Sequence, residues 1–306
     1  MVDSNGEKPL VSVIVPVYQT QEYVEACFAS IARQRLKEIE VVVVDDGSTD
    51  SSKEICDKYA AQDSRFRVFH CEHRGIAPTR SFGLEQANGE YIAWVDSDDS
   101  IDQGYLDAMY HAAVKFDADM VIARDDVPSA NPCVILGGKI LETQLNGKLG
   151  ALWNTLISAK LYVGKVFQNY GANEDTIMLA QISAESRRAV AINSTGYHYR
   201  VREGSAVHTY DASTMISRLN AIERRNSFIE KHYPSFIRYT HYSSVLEATK
   251  VNRQLRTHEV QGDVAALRTT ILHVIDSHLF RIPMFSLSKE QLREVISGFK
   301  LFLLRK

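Results

Sequence analysis

Carboxylates and hydroxyls cluster directly after three segments that read as buried β-strands. The apolar run at 39–44 is followed by DDGSTD at 45–50, and the run at 91–95 is followed by DSDD at 96–99. A third run, at 118–123, is followed by RDD at 124–126. Ligands of open parallel sheets bind beyond the carboxyl ends of the strands, so we expect these side chains at one edge. Oxygen-rich edges of this kind suit Mg²⁺ or Mn²⁺, which often share their ligands with phosphates, or an array of sugar hydroxyls.

Alternating strand and helix signals over the first 125 residues predict the sheet that positions these clusters. Strands are predicted at 11–15, 39–44, 67–69, 91–95 and 118–123. Helices are predicted at 22–33, from the DDGSTD cluster to about residue 61, at 76–87 and at 103–116. Strands that alternate with helices of this length imply right-handed βαβ crossovers and a mostly parallel sheet. From 127 to 199, short apolar runs predict small strands and short helices packed on the end of the sheet.

Charge divides the 306-residue chain into two parts. Residues 1–209 carry 29 Asp+Glu against 20 Lys+Arg, whereas residues 210–306 carry 9 against 15. Opposite net charges of −9 and +6 suggest two parts with different partners. We therefore predict an α/β domain over 1–209 and a helical appendage over 210–306. Periodic apolar residues predict core-facing stripes in the appendage, the last of them at Leu292, Val295, Ile296, Phe299 and Leu303.

Composition and motifs exclude several classes of protein. No stretch approaches the roughly 18–20 apolar residues needed to span a bilayer, and MVDSNGEKPL does not read as a secretory signal. The four cysteines form no CxxC pair, which favours buried thiols in a reducing cytoplasm. Neither GxGxxG nor GxxxxGK[ST] occurs, so a bound nucleotide must be held without a glycine-rich cradle. The acidic first part argues against a nucleic-acid partner.

An ordered set of motifs resembles the family 2 glycosyltransferases. It comprises VIVPVY at 13–18, VDDGSTD at 44–50, GIAPTR at 75–80 and GEYIAWVDSDD at 89–99. It continues with WN at 153–154, NED at 173–175 and YHYRVREGS at 197–205, followed by His208. The resemblance spans residues 9–209 and implies inverting enzymes of the GT-A fold that use nucleotide-diphosphate sugars. It is strongest to bacterial enzymes that build capsule, exopolysaccharide or cell-wall glycans.

The resemblance implies roles for residues of the nucleotide-binding half, at about 9–125. Contacts to the donor nucleotide are expected from Pro16, Val17, Tyr18, Asp45, Asp46, Arg80, Asp96, Ser97 and Asp98. Asp46 lies where the family hydrogen-bonds uracil, which favours a UDP-sugar donor. A divalent cation, Mn²⁺ or Mg²⁺, is expected at Asp98, Asp99 and His208.

The acceptor half, at about 126–209, carries the remaining expected roles. Asp175 lies where the family places its catalytic base, with Glu174 beside it, and Trp153 and Asn154 lie on the acceptor side. A loop that closes over the diphosphate is expected to supply Arg202, Ser205 and His208. Relatives often have Asn-Lys-Leu after the Trp, whereas this chain has Asn-Thr-Leu. The acceptor is therefore the property that can least be inferred from the resemblance. A glycan, a lipid-linked sugar or a cell-wall polymer is expected.

Other interpretations remain open at this point. Each acidic cluster alone could be a capped turn, because Asp favours caps and turns. A catalytically silent glycan- or nucleotide-binding relative and a sugar nucleotidyltransferase are the alternative functions, whereas a receiver domain would need a strand-end Lys that residues 95–122 do not offer. The basic appendage either attaches the protein to the inner face of an anionic membrane, best through 287–306, or forms a homo-oligomer.

Overall fold

The computed structural model describes residues 8–128, 132–169, 174–200, 210–283 and 287–303, with residues 302 and 303 described by their backbone alone. These residues divide between two units. The first draws on 1–140, 149–169 and 181–200, and the second on 141–148, 170–180 and 201–306. The domain boundary expected at 209/210 adjoins residues 201–209, which lie outside the described residues, and it stays a prediction.

Ten described strands form an eight-stranded sheet and a two-stranded ribbon. They are β1 (Val11–Val17), β2 (Ile39–Asp45), β3 (Phe66–His70), β4 (Tyr91–Trp94), β5 (Ser100–Ile101), β6 (Met120–Arg124), β7 (Cys133–Leu136), β8 (Thr155–Ser158), β9 (Arg188–Asn193) and β10 (Tyr197–His198). The large sheet has the order β3-β2-β1-β4-β8-β6-β9-β7, and β5 pairs with β10. Within the large sheet, β8 and β7 run antiparallel to their neighbours and the remaining pairs are parallel, whereas β5 and β10 pair antiparallel.

Ten α-helices are described beside these strands. They are α1 (Val24–Ala32), α2 (Ser52–Gln62), α3 (Ile76–Gln86), α4 (Tyr105–Phe116), α5 (Gly138–Leu145), α6 (Asp175–Glu185), α7 (Ala212–His232), α8 (Ile237–Thr257), α9 (Val264–His278) and α10 (Lys289–Leu303). Strands and helices alternate up to β6, as the sequence pattern predicts, and the bounds of each element differ from the prediction by a few residues.

Strands β1 and β2 are buried along their whole length, which explains why both are mostly apolar on both faces; their buried polar residues Ser12 and Glu40 are hydrogen-bonded to each other. Pro16 cannot donate a backbone hydrogen bond, yet it is tolerated in the central strand β1 because pairing with β4 ends at Ile14. The parallel register sets Val17 beside Asp45. The carboxyl ends of β1, β2 and β4 therefore meet at one edge of the sheet.

The strands after residue 127 correct one expectation. They do not form small elements on the end of the sheet, because β7, β8 and β9 are members of the sheet itself. Strand β8 lies between β4 and β6, where it is antiparallel to both. Such pairing joins residues more than thirty positions apart, and local periodicity carries no signal for it.

The second unit contains helices α7 to α10 packed on an apolar core. Its buried side chains include Met215, Leu219, Val245, Leu267, Ile271, Val274 and Val295. In the last predicted stripe, Val295 is buried as predicted, but Ile296 is 44% exposed and was wrongly predicted to face the core. No helix among the described residues is long and apolar enough to cross a membrane.

Candidate active site

The two neighbouring aspartates at the end of β2 hold different segments in place. Asp45 accepts a hydrogen bond from the backbone N–H of Ser48 at 3.0 Å and lies 2.9 Å from Nδ1 of His70. Asp46 accepts hydrogen bonds from the backbone N–H groups of Arg74 and Gly75, each at 2.9 Å. Both carboxylates are buried. Asp46 thus positions the segment that leads into α3, and its predicted contact with uracil would have to be shared with these donors.

An exposed aromatic pair lies beside Asp46. The rings of Tyr18 and His73 stack with centroids 4.2 Å apart and an angle of 19°, and Tyr18 is 45% exposed. Nδ1 of His73 lies 2.9 Å from the Asp46 carboxylate. The sequence predicts Tyr18 as a nucleotide contact but does not single out His73, since a lone histidine after β3 carries no motif. Stacked, partly exposed rings offer the kind of flat surface on which a planar base can lie.

The residue after Tyr18 joins β1 to the loop after β2. Gln19 adopts a left-handed backbone conformation with φ of 51°, which is uncommon for a residue other than glycine. Its side-chain oxygen accepts hydrogen bonds from the backbone N–H groups of Thr49 and Asp50 at 3.0 and 3.2 Å. The Gln19 side chain thus joins the segment that follows β1 to the loop that follows β2.

The end of β4 carries an ion pair between two of the predicted donor contacts. An Nη atom of Arg80, on α3, lies 3.0 Å from Oδ1 of Asp96. The guanidinium also lies over the ring of Trp94, 5.8 Å from its centroid. Ser97 is buried, and its hydroxyl accepts a hydrogen bond from Thr20 at 3.2 Å. The predicted donor residues of β1, α3 and β4 are therefore brought together at this edge.

Asp99 is buried and linked to the strand β10, almost one hundred residues further along the chain. The Tyr197 hydroxyl donates to Oδ2 of Asp99 at 2.7 Å, and the Arg200 backbone N–H donates to Oδ1 at 2.7 Å. The pKa of Asp99 is raised to about 6, chiefly by burial and also by the charges of Asp96 and Asp98, although the two hydrogen bonds lower it. Asp99 thus holds β10 against the acidic loop, and its role as a metal ligand stays a prediction.

Arg200 adds two further contacts to this link. Its Nε donates to the backbone oxygen of Asp98 at 3.0 Å, and its guanidinium lies 5.3 Å from the ring centroid of Tyr23. Neither Tyr197 nor Arg200 was given a role from the sequence. Their position inside the motif at 197–205 was the one available signal, because a contact across so many residues leaves no local pattern.

The predicted acceptor residues differ in their surroundings. The ring of Trp153 is half-buried and lies 4.7 Å from that of Tyr197, at an angle of 35°. Asn154 is buried; its Nδ2 donates to the Ala123 carbonyl at 3.0 Å, and its Oδ1 accepts from the Ala151 N–H at 2.8 Å. The geometry therefore gives Asn154 a positioning role and favours Trp153 as the residue that would meet an acceptor.

The expected catalytic carboxylates lie at the beginning of α6. Asp175 is the first residue of this helix and is half-buried, and Glu174 precedes it and is buried. Their catalytic role stays a prediction. Arg202, Ser205 and His208, expected in the diphosphate loop, lie outside the described residues.

The carboxylates of this edge suit a cation that is bound partly by the substrate better than one bound by protein ligands alone. Among the described residues, no group of three or more His, Cys, Asp or Glu side chains could hold a metal ion. Mg²⁺ is commonly bound by one or two carboxylates together with substrate phosphates, an arrangement that needs no such cage. Half-buried Asp98 provides one carboxylate of the kind that this arrangement requires.

Comparison with known proteins decides the family. Residues 12–132 match the family model described as glycosyl transferase family 2. Glycosyltransferase GlyG of Streptococcus pneumoniae is 34% identical over 221 residues, which cover 65% of this chain and 73% of GlyG. The chain belongs to glycosyl transferase family 2. Glycosyltransferase GlyA of the same organism is 30% identical over 265 residues, which cover 80% of the chain and 38% of GlyA.

Solved structures confirm the fold expected for this glycosyltransferase. Residues 1–349 of Staphylococcus aureus TarS superpose with a TM-score of 0.68 at 18% identity, covering 95% of this chain and 88% of that one. The same fragment in complex with UDP-GlcNAc gives a TM-score of 0.55 at 20% identity, covering 96% and 80%. A mannosyltransferase from Pyrobaculum calidifontis, in complex with GDP-Man and Mn²⁺, gives 0.56 at 16% identity, covering 98% and 88%. The GT-A fold predicted from the sequence is therefore confirmed.

Proposed function

We propose that this family 2 enzyme transfers a sugar, with inversion, from a nucleotide-diphosphate sugar to a hydroxyl of a glycan, a lipid-linked sugar or a cell-wall polymer. A UDP-sugar is the favoured donor. The observation that carries the proposal is the convergence of Tyr18, Asp46, Arg80 and Asp96 at the carboxyl edge of the parallel strands β1, β2 and β4. The binding of UDP-GlcNAc by TarS, a protein of the same fold, supports a nucleotide-sugar donor.

Inversion requires a single in-line displacement. The acceptor oxygen forms a bond to the anomeric carbon while the bond from that carbon to the diphosphate oxygen breaks, and the nucleotide diphosphate leaves with the electron pair. Asp175 accepts the proton of the attacking hydroxyl, a contribution worth roughly 10²–10⁴-fold. Trp153 offers an aromatic face to the acceptor sugar.

A divalent cation, Mn²⁺ or Mg²⁺, fits this site together with the donor. Asp98 would hold it jointly with the diphosphate oxygens, and the Mn²⁺ in the mannosyltransferase of the same fold supports this assignment. When bound, such an ion neutralises charge on the leaving diphosphate. Asp96 and Asp99 keep their hydrogen-bonded and ion-paired partners and shape the loop around Asp98.

A panel of nucleotide sugars with Mn²⁺, scored by release of the free nucleotide diphosphate, tests the function. We expect one UDP-sugar to be consumed above the others, whereas no release from any donor would overturn the proposal. Asp175→Asn should reduce turnover by about 10²–10⁴-fold and leave donor binding unchanged. Glu185→Gln, at the other end of α6, is the matched control and should keep turnover.

Donor binding tests the cation assignment separately. In calorimetry with UDP, Asp98→Asn should remove the gain in affinity that Mn²⁺ gives the wild type. Asp107→Asn, a change of the same kind on α4, should retain that gain. Equal affinities with and without Mn²⁺ in the wild type would show that Asp98 holds no cation with the diphosphate.

A further inference from the structure

Helix α10 presents an exposed stripe that is mostly basic. Lys289, Arg293, Ile296 and Lys300 follow one another at intervals of four, three and four residues, so they lie on one side of the helix. All four side chains are exposed. We call these four residues the α10 stripe.

The opposite side of α10 is fixed against the rest of the second unit. Val295 is fully buried in the apolar core of that unit. Gly298 approaches Val245 of α8 so closely that an added Cβ would lie 3.0 Å from a Val245 methyl carbon. Because this buried face sets the rotation of the helix, the α10 stripe is held outward.

The acidic residues of α10 are neutralised by other elements, whereas no described residue neutralises its basic residues. Glu290 forms an ion pair with Lys148 at 2.9 Å, and Glu294 forms one with Arg253 at 3.1 Å. Across the described part of the chain, Lys289, Arg293 and Lys300 have no carboxylate within ion-pair distance. These three cations therefore lie together on one exposed side of α10.

Apolar side chains accompany these charges. Ile296 is 44% exposed at the middle of the stripe, and Phe280, just beyond α9, is 64% exposed. The Phe280 ring meets the edge of Phe299 of α10, with centroids 5.6 Å apart, so it lies beside the same helix. Exposed aromatic and aliphatic groups among lysines and arginines are typical of helices that lie in a membrane interface.

We propose that the α10 stripe and Phe280 bind the surface of an anionic phospholipid bilayer. The three exposed cations complement lipid phosphates, and Ile296 and Phe280 reach the boundary between headgroups and acyl chains. A symmetric pair of copies joined through the stripe is disfavoured, because a two-fold interface would set its cations against the same cations of the partner.

Co-sedimentation of the full chain with vesicles tests this surface. We expect binding to vesicles of phosphatidylcholine mixed with phosphatidylglycerol, no binding to phosphatidylcholine alone, and weaker binding as salt is raised. The triple variant Lys289→Gln, Arg293→Gln, Lys300→Gln should bind the anionic vesicles about a hundredfold more weakly, since each cation near such a surface contributes about fivefold. Phe280→Ser should weaken binding without changing its salt dependence.

A second triple variant controls for net charge. Lys231→Gln, Arg256→Gln, Arg268→Gln removes three exposed basic residues from α7, α8 and α9 of the same unit, and it should bind as the wild type does. Circular dichroism establishes that both triple variants are folded. Equal losses in the two triple variants, or no binding of the wild type to anionic vesicles, would overturn the proposal. So would a wild-type dimer in sedimentation velocity that the α10 variant converts to a monomer.

Discussion

Replacing Tyr197 by Phe tests the link between the acidic loop and β10. The Tyr197 hydroxyl donates to Oδ2 of Asp99 at 2.7 Å and accepts from the backbone N–H of Asp96 at 3.2 Å. Burial, together with the charges of Asp96 and Asp99, raises the pKa of Tyr197 well above its usual value, so the hydroxyl keeps its proton and can donate. The substitution removes one atom that joins both ends of the DSDD cluster to β10.

The cost follows from the two partners that lose their hydrogen bonds. A buried polar group left unsatisfied costs about 1–3 kcal/mol, and Tyr197→Phe leaves two such groups, one on Asp96 and one on Asp99. The ring contact with Trp153 is kept, because Phe has the same ring. We expect the free energy of unfolding to fall by about 2–4 kcal/mol and the Tm by about 4–8 °C.

Calorimetric unfolding and UDP binding with Mn²⁺ provide two independent assays of Tyr197→Phe. Under the proposed function the loop at 96–99 contacts the donor, so we expect UDP affinity to fall by about tenfold, equivalent to about 1.4 kcal/mol. Tyr110→Phe is the matched control, because the Tyr110 ring packs on Tyr91 and its hydroxyl has no hydrogen-bond partner among the described residues. A Tm of Tyr197→Phe equal to that of Tyr110→Phe would refute the reasoning.

Two further predictions concern the scaffold below the site. A Cβ on Gly89 would lie 2.4 Å from the backbone nitrogen of Ser12, so Gly89→Ala should lower the free energy of unfolding, measured in urea, by about 1–3 kcal/mol or more. A Cβ on Gly104 would have its nearest neighbouring atom at 3.7 Å, so Gly104→Ala should lower that free energy by less than about 1 kcal/mol. Burial opposes the ionisation of Glu40, but hydrogen bonds from Ser12, Asn88 and Arg67 lower its pKa below 4.5. The ionised Glu40 therefore stabilises the folded protein fully above pH 4.5, and this contribution is lost as the pH falls through the lowered pKa. Glu40→Gln should therefore be less stable than the wild type at neutral pH, and denaturation curves that show no narrowing of this difference below pH 4.5 would contradict the assignment.

Local chemistry predicts most of the first half of the fold. Runs such as 39–44 are apolar on both faces because both sides of the parallel sheet are covered, and the polar clusters follow because parallel strands end at one edge. The position of β8 between β4 and β6 could not be predicted, because it depends on pairing with strands distant in the sequence. Ile296 was misassigned for a related reason: it adjoins a buried position, and the neighbours that cover one side of α10 are set by tertiary packing.

The same limit applies within the candidate site. The types and spacing of residues 96–99 indicate a ligand site, yet they do not distinguish one aspartate from another. The structure does so through partners from other elements, since Asp96 faces Arg80 and Asp99 receives Tyr197 and Arg200. Those partners are 16 to 101 residues away in sequence, so no local pattern could have assigned them.

Three carboxylates in four residues repel one another, and the fold offsets this repulsion unequally. A guanidinium faces Asp96, whereas Asp99 receives neutral donors and has a raised pKa. These contacts fix the backbone on both sides of Asp98. A cation shared between Asp98 and a diphosphate would relieve the remaining repulsion, because it adds positive charge between groups that are all negative. Donor and cation should accordingly bind with positive coupling, since each reduces the electrostatic cost of the other.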